Sequence, residues 1–230
     1  LLTDHGTDVP VNAGYVAPLA RDENQPEVPH GDAASGEFSH DPSDPADFLA
    51  RHLERHGNGE VVLFGIAGLT NVARLQARHP KSFARAKEVL LMNGQFREDW
   101  TEWNVQCDPD ATARIYRQTA VPVRTVGICQ TGRHWVGREE GLGFVPDWAP
   151  TLRRAMTTWF DRQSPKLFFH DVIAAAELYD MRYCTFETGH VEMSDDLTRF
   201  LPDPKGNVRI ATDWKIDPFK AHLRNVLTGR

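Results

Sequence analysis

Short apolar runs alternate along the chain with segments whose apolar residues recur at helical spacing. The runs predict buried β-strands, because a strand covered on both faces needs no polar alternation. We predict strands at residues 60–64, 87–92, 121–127, 182–187 and 208–212. We predict helices at residues 69–75, 108–116, 151–160, 169–179 and 219–227. The second helix begins with Asp108-Pro109, a favoured N-cap followed by a favoured first helical residue.

The order of these elements predicts an α/β fold. Strands that alternate with helices are joined by crossovers, which place helices on both faces of a parallel sheet. We therefore expect an open, mostly parallel, Rossmann-like sheet with helices on both faces. Residues 1–230 are expected to form one domain, in which the polar segment 21–46 is a surface loop.

The composition narrows the class of partner. The 230 residues are 40% hydrophobic and 25% charged, which is typical of a globular protein with a sizeable core. The formal net charge of -6 argues against nucleic acid or an anionic membrane as partner, because polyanions bind concentrated basic surfaces. No apolar stretch approaches the roughly 18 residues of a membrane helix. We expect a small-molecule partner and no membrane association.

The number and spacing of the cysteines indicate the redox environment of the protein. Cys107, Cys129 and Cys184 are far apart and show no Cys-x-x-Cys spacing. Neither a zinc knuckle nor a disulfide framework is indicated, so we expect a reducing cytoplasm.

Polar residues beyond the predicted strands are the first candidates for a functional site. Ligands of open α/β sheets bind outside the carboxyl ends of the strands. Glu102 and Asn104 lie beyond the second strand, and His170-Asp171 precedes an apolar helical run. A histidine can donate a proton and an aspartate is a hard oxygen ligand. The pair indicates metal-assisted bond cleavage with acid help for the leaving group.

Four groups of short motifs follow one another along the chain. The chain has Gly-Leu-Thr-Asn at 68–71, Leu-Met-Asn-Gly at 91–94, Glu-Trp-Asn running into Asp-Pro-Asp-Ala at 102–111, and His-Asp-Val at 170–172. Together they resemble the inosine-uridine preferring nucleoside hydrolase family, whose members carry similar motifs in this order. Three further stretches resemble a family strand, its His-Gly loop and its last strand, at residues 7–11, 30–31 and 207–211. The resemblance covers nearly the whole chain.

The resemblance implies hydrolysis of the N-glycosidic bond of ribonucleosides to base and ribose. Family members use a calcium ion that binds the ribose 2′ and 3′ hydroxyls and activates a water, and the transition state is oxocarbenium-like. By the match, His170 is the proton donor to the base, and Asp171 and the carbonyl of Ile66 are calcium ligands. The implied substrate-binding residues are Met92, Glu102, Asn104 and His30. The implied assembly is a homo-oligomer, either a dimer or a tetramer.

One family motif has no counterpart in the chain. The family's first strand carries Asp-x-Asp-Pro-Gly-x-Asp-Asp, which supplies most calcium carboxylates and the base that activates water; this chain does not contain it. We therefore expect a nucleoside hydrolase-like domain that is incomplete at its N-terminus and lacks the first βαβ unit. The alternative is a non-catalytic or truncated protein with at most weak nucleoside binding. A metal hydrolase of another substrate class would need a second carboxylate cluster, which is not evident.

Structural roles compete for several of these residues. Asp171 and Asn71 are of types that cap helices, and Asp108 is assigned that role alone. Glu102 and Asn104 have a plain interpretation as solvated loop residues. Beyond the third strand, four residues are able to contact a base and the sequence does not choose among them: Thr131, Arg133, His134 and Trp135.

Overall fold

The structure of the protein, a computed structural model, describes residues 6, 8–20, 40–179 and 183–228. The first half contains α1 (Pro45–Arg55), β1 (Val62–Gly65), α2 (Thr70–Arg78), α3 (Pro80–Phe83), β2 (Glu88–Leu91), α4 (Trp103–Cys107), α5 (Pro109–Arg117) and β3 (Val123–Thr125). The second half contains α6 (Ile128–Thr131), β4 (Trp135–Val136), α7 (Arg138–Gly143), α8 (Pro150–Arg162), β5 (Leu167–Phe168), α9 (His170–Ala176), a 3-10 turn (Glu177–Tyr179), β6 (Cys184–Ser194), β7 (Leu197–Pro202), β8 (Val208–Trp214) and α10 (Ile216–Thr228).

Most strands form one mixed sheet. Its six strands follow the order β1-β2-β3-β8-β6-β7, and β4 pairs separately with β5. The strands β1, β2, β3 and β8 are parallel, whereas β6 pairs antiparallel with both β8 and β7. The predicted α/β fold with a mostly parallel sheet is confirmed. Because β1, β2 and β3 are parallel neighbours, their carboxyl ends meet at one edge of the sheet.

Apolar side chains form two clusters on the sheet. The first includes Leu53 of α1 and Leu75 of α2, and the second includes Ile173 of α9. The adjacent residues Ile210 and Ala211 of β8 belong to different clusters. Successive side chains of a strand point to opposite faces, so the clusters lie on opposite faces of the sheet. Helices thus cover both faces, as predicted.

The predicted start of α5 is confirmed in detail. Asp108 is the N-cap, with Pro109 at the first helical position. One carboxylate oxygen accepts the Ala111 N–H at 2.9 Å. The other accepts the Leu19 N–H at 2.9 Å and the Thr70 hydroxyl at 2.6 Å. The cap therefore also ties an N-terminal segment and α2 to α5.

Helix α1 is absent from our predictions. Asp44-Pro45 opens it with the same cap signature. Its buried face consists of Ala46, Ala50 and Leu53, which are too few and too small to give a clear hydrophobic period. The predicted loop 21–46 is therefore wrong at its end, because α1 begins at Pro45.

The strands also differ from the predictions at several places. β7 was not predicted, and β6 continues to Ser194, beyond the predicted end at residue 187, because it pairs with β8 and then with β7. Residues 8–11 lie in no strand, and Asn12 forms only an isolated bridge with Asp41. Residues 21–39 of the expected loop lie outside the described residues.

Candidate active site

A tight turn follows β2 at the carboxyl edge of the sheet. The Met92 N–H donates to the Gly65 carbonyl at 2.9 Å, so the ends of β2 and β1 lie side by side. Gly94 has a φ of 94°, in the left-handed region that favours glycine. A Cβ at Gly94 would lie 2.5 Å from the ring of Phe96. The turn therefore requires glycine at this position.

Buried hydroxyl groups hold the same turn from the sheet side. The Tyr116 hydroxyl donates to Asn93 Oδ1 at 2.9 Å, and the Thr125 hydroxyl donates to the Asn93 carbonyl at 2.7 Å. All three residues are buried. Burial raises the pKa of Tyr116 well above its ordinary value, so the phenol stays neutral and donates. Our sequence predictions missed this anchor, since nothing local in the sequence pairs Asn93 with Tyr116.

Glu102 is almost fully buried and joins this turn to α4. It is the N-cap of α4, and one oxygen accepts the Asn104 N–H at 2.9 Å. The other accepts the N–H groups of Val105 and Gly94, each at 3.2 Å. Burial raises the pKa of Glu102, the three N–H groups lower it, and the nearby charge of Asp171 raises it further. The solvated-loop interpretation of Glu102 is wrong.

Asn104 connects α4 back to the end of β2. Its side-chain amide donates to the Met92 carbonyl at 2.8 Å and lies 3.5 Å from the Met92 sulfur. Asn104 is also buried, so it is not a solvated loop residue either. Met92, Glu102 and Asn104, predicted separately from sequence, therefore lie together. Trp103, between the last two, is half exposed.

His170 and Asp171 open α9. The N-cap of this helix is Phe169, and no side chain caps it, so Asp171 lies in the first turn and is not the cap. Burial raises the pKa of Asp171 and lowers the pKa of His170. No described residue gives the Asp171 carboxylate a hydrogen bond. The Asp171 charge is a lesser cause of the raised pKa of Glu102, behind burial.

Of the four open candidates beyond β3, Thr131 contacts His170. The Thr131 hydroxyl lies 2.7 Å from His170 Nδ1. The Phe168 ring stacks on the imidazole, with 5.3 Å between centroids and 12° between planes. The other three candidates contact other residues: Arg133 pairs with Asp213, His134 lies edge-on to Trp214, and Trp135 lies under Lys166.

Comparison with known proteins identifies the family of the chain. Residues 1–221 match the family model described as inosine-uridine preferring nucleoside hydrolase. The chain belongs to this family. The nucleoside hydrolase resemblance found in the sequence motifs is thereby confirmed.

Relatives of this nucleoside hydrolase family member share part of its length. The pyrimidine-specific ribonucleoside hydrolase RihA of Shewanella woodyi is 30% identical over 144 residues, which is 58% of this chain and 46% of that protein. The inosine-uridine preferring nucleoside hydrolase of Leishmania major is 29% identical over 123 residues, or 48% and 39% of the two chains. The chain thus spans less than half the length of these curated relatives.

Solved nucleoside hydrolases share the fold. A plant nucleoside hydrolase gives a TM-score of 0.83 at 19% identity, covering 100% of this chain and 84% of that one. The purine-preferring ribonucleoside hydrolase of Gardnerella vaginalis gives 0.81 at 16% identity, with the same coverage. At such identities the likeness establishes the fold alone.

The calcium site implied by the family is only partly supplied by the described residues. Ile66 follows β1 directly, next to the Met92 turn, and Asp171 offers a carboxylate. Calcium takes six to eight oxygen ligands. Within the described ranges, no three His, Cys, Asp or Glu side chains are grouped so that they could hold a metal ion. These donors do not make a calcium site by themselves.

The remaining predicted residues have the following places. His30 lies outside the described residues, so its role in substrate binding stays a prediction. Asn71 is not a cap: it lies inside α2, and its Oδ1 accepts the Tyr15 N–H at 2.9 Å. Asp108 is the cap that we predicted.

Two other surface features lie away from this site. Cavities of about 440 and 600 Å³ are found beside Lys81 and beside Trp148, and none of the candidate site residues lines them. Among the described residues, no helix is long and apolar enough to cross a membrane.

Proposed function

We propose that the chain hydrolyses the N-glycosidic bond of ribonucleosides, giving free base and ribose. The observation that supports this most is the meeting of Met92, Glu102 and Asn104 at the end of β2, with the charge of Asp171 within reach. Family membership supplies the reaction class. The water oxygen adds to the ribose C1′ and one of its hydrogens ends on the base, so the bond cleaved is C1′–N.

The sugar is proposed to bind at the turn after β2. Asn104 Oδ1 accepts no hydrogen bond from the described residues, so it is free to accept one from a ribose hydroxyl. Each oxygen of Glu102 keeps lone pairs beyond those used by the backbone. Met92 offers an apolar surface to the sugar, and His30 is a proposed further contact. Negative charge at Glu102 and Asp171 would stabilise the positive charge that develops on the ribose.

The base is proposed to leave on the side of His170. As the C1′–N bond breaks, negative charge develops on the base, and a proton donor stabilises it. His170 lies directly beside Asp171 in α9, so the base side and the sugar side of the site are one residue apart in sequence. We further propose a homo-oligomer and a cytoplasmic location for the enzyme.

Calcium is proposed as the cofactor, with Asp171 and the Ile66 carbonyl among its ligands. A bound calcium ion would hold ribose hydroxyls and acidify a water molecule. Further oxygens are needed beyond those of the described residues.

The proposal is tested by substitutions on both sides of the site. We expect His170→Ala to slow release of base from inosine or uridine by about a hundredfold or more, as loss of an acid catalyst does. His56→Ala, an exposed histidine after α1, is the control and should leave the rate unchanged. Chromatography of the released base gives the rate. Equal rates for the two variants would remove His170 from the mechanism.

Calcium binding is measured separately by titration calorimetry of the full chain. We expect Asp171→Ala to abolish the affinity for calcium. If binding survives this substitution unchanged, the ligand assignment is wrong.

A second candidate is a nucleoside-binding protein without catalysis. The lack of a three-ligand metal cluster within the described ranges favours it. Calorimetric binding of inosine or uridine by the full chain, with no release of base at millimolar calcium, would establish this function and reject hydrolysis.

A further inference from the structure

The imidazole of His170 is held on two sides. Phe168 stacks on one face of the ring, at 5.3 Å between centroids, and fixes its plane. Thr131, on α6, meets the Nδ1 edge at 2.7 Å and fixes its rotation within that plane. The Nε2 atom on the other edge has no hydrogen-bond partner among the described residues. The ring is therefore immobilised with one nitrogen left for a ligand.

The direction of the hydrogen bond between Thr131 and His170 follows from the acceptors that are available to the hydroxyl hydrogen. Thr131 is 0% exposed, and its hydroxyl has no other hydrogen-bond partner within the described ranges. If Nδ1 carried the proton and donated, the threonine hydrogen would be buried without an acceptor. If the hydroxyl donates instead, Nδ1 accepts, and the Nε2–H group lies on the edge that is open to water or a ligand, since Nε2 is not among the buried unpaired atoms. The second arrangement places the imidazole proton on Nε2.

We propose that Thr131 is a positioning residue that holds His170 in the tautomer protonated at Nε2, so that the Nε2–H group faces the leaving base. The inference rests on the proposed function for what the donor serves, and on geometry for the tautomer itself. The Nε2–H group would donate a hydrogen bond to the base nitrogen as the C1′–N bond breaks. Thr131 itself would not touch the substrate.

A merely structural role for Thr131 makes different predictions. Valine has nearly the shape of threonine without the hydroxyl, and serine keeps the hydroxyl without the methyl group. If only packing matters, Thr131→Ser should be the more disruptive change. If the hydrogen bond matters, Thr131→Val should be the more disruptive, and Thr131→Ser should behave as wild type. Thr112→Val is a matched control, since Thr112 is also 0% exposed and its hydroxyl has no hydrogen-bond partner among the described residues.

The tautomer is measured on the ¹⁵N-labelled full chain, without substrate, by long-range proton–nitrogen correlation at about pH 8, where an imidazole is neutral. His170→Ala identifies the signals. We expect an Nε2–H form with an Nδ1 resonance displaced by the accepted hydrogen bond in the wild type, Thr131→Ser and Thr112→Val. In Thr131→Val the Nδ1 resonance should move. A wild-type Nδ1–H form, or an unchanged Nδ1 resonance in Thr131→Val, would overturn the proposal.

Kinetic measurements test whether the Nε2–H group of His170 acts on the departing base. We expect Thr131→Val to lower kcat for inosine or uridine about tenfold or more, with KM within about twofold, because the donor acts on the departing base. An aryl riboside, whose leaving group departs as a stable phenolate, should lose less than about threefold. Equal losses on both substrates would overturn the assignment to the leaving group. If the wild type releases no base, the proposed function fails, and the tautomer measurement alone decides the role of Thr131.

Discussion

Replacing Glu102 should separate its structural role from its proposed role in substrate binding. The carboxylate accepts three backbone N–H groups through two oxygens, from Gly94, Asn104 and Val105. In Glu102→Gln one of those oxygens becomes an NH₂ group, which faces a buried N–H donor and cannot accept from it. Leaving a buried donor unpaired costs about 1–3 kcal/mol. The neutral amide is easier to bury than the carboxylate, which offsets part of that cost. We therefore expect a loss of about 1–2 kcal/mol in the free energy of unfolding.

Glu102→Ala removes all three acceptors and the N-cap. The cap alone contributes about 0.5–2 kcal/mol, so the total loss should reach about 2–4 kcal/mol. Urea unfolding of the two variants and the wild type gives these values, provided that the denaturant slope is unchanged. Glu98→Gln is the matched control. Glu98 is exposed in the same segment, and its carboxylate accepts only the Trp100 indole N–H among the described residues. It should change the stability by less than about 0.5 kcal/mol.

The activity of Glu102→Gln is then measured well below its unfolding transition. If Glu102 contacts the ribose, nucleoside hydrolysis should fall although the protein is folded. The reasoning is refuted if Glu102→Ala unfolds within about 0.5 kcal/mol of the wild type, since three buried N–H groups would then have lost their acceptor at no cost.

Three further predictions concern aspartates. Asp108→Ala should lower the free energy of unfolding by about 2–4 kcal/mol, because it removes a buried cap with two further hydrogen bonds. The control is Asp217→Ala, which also changes an Asp-Pro pair but at an exposed position inside α10. In the same urea assay it should change the free energy of unfolding by less than about 0.5 kcal/mol. A hydrogen bond from a tyrosine hydroxyl lowers the pKa of Asp44 to about 2. Since the folded pKa lies below the unfolded value of about 3.9, this carboxylate stabilises the fold above about pH 4, and the stability of the wild type relative to Asp44→Asn should fall as the pH is lowered from about 4 to about 2. Asp171→Asn should stabilise the ligand-free chain by up to about 1 kcal/mol in the free energy of unfolding, because it removes a partly buried charge near Glu102. The melting temperature should rise accordingly, and a lowered melting temperature would show that Asp171 has a structural role.

The parallel core of the fold could be predicted because its signals are local. Apolar runs marked β1, β2, β3 and β8, and Asp108-Pro109 marked the start of α5. The same cap signature at Asp44-Pro45 starts α1, but the apolar pattern of this helix is weak because it buries mainly alanines.

The antiparallel part of the sheet could not be predicted in the same way. In β7 the buried Thr198 is followed by the exposed Arg199, a polar pattern that is typical of an edge strand. The Thr198 hydroxyl donates to the Gln95 carbonyl at 2.7 Å and accepts the Gln95 N–H at 3.0 Å. Such a contact between residues far apart in sequence depends on the folded chain, and no short window of sequence contains it.

The site residues divide by how their roles could be recognised. Glu102 and Asn104 were selected through motif resemblance, but their hydrogen bonds show that both also hold the backbone of the site. Thr131 was one of four open choices, and only the return of the chain at α9 places it against His170. Sequence motifs identify residues, whereas the partners that orient them come from other elements of the fold.

Asp171 differs from Glu102 in a way that bears on function. Glu102 is supported by three N–H groups, so folding alone explains a carboxylate there. Asp171 is neither a helix cap nor hydrogen-bonded to a described residue, and burial disfavours its charge. Folding would be served as well by a neutral side chain. The place of Asp171 in the first turn of α9 favours the negative charge, but no described residue gives the carboxylate a hydrogen bond. A ligand that carries positive charge or develops it during reaction would supply a partner, and both a cation and an oxocarbenium-like ribose meet that condition.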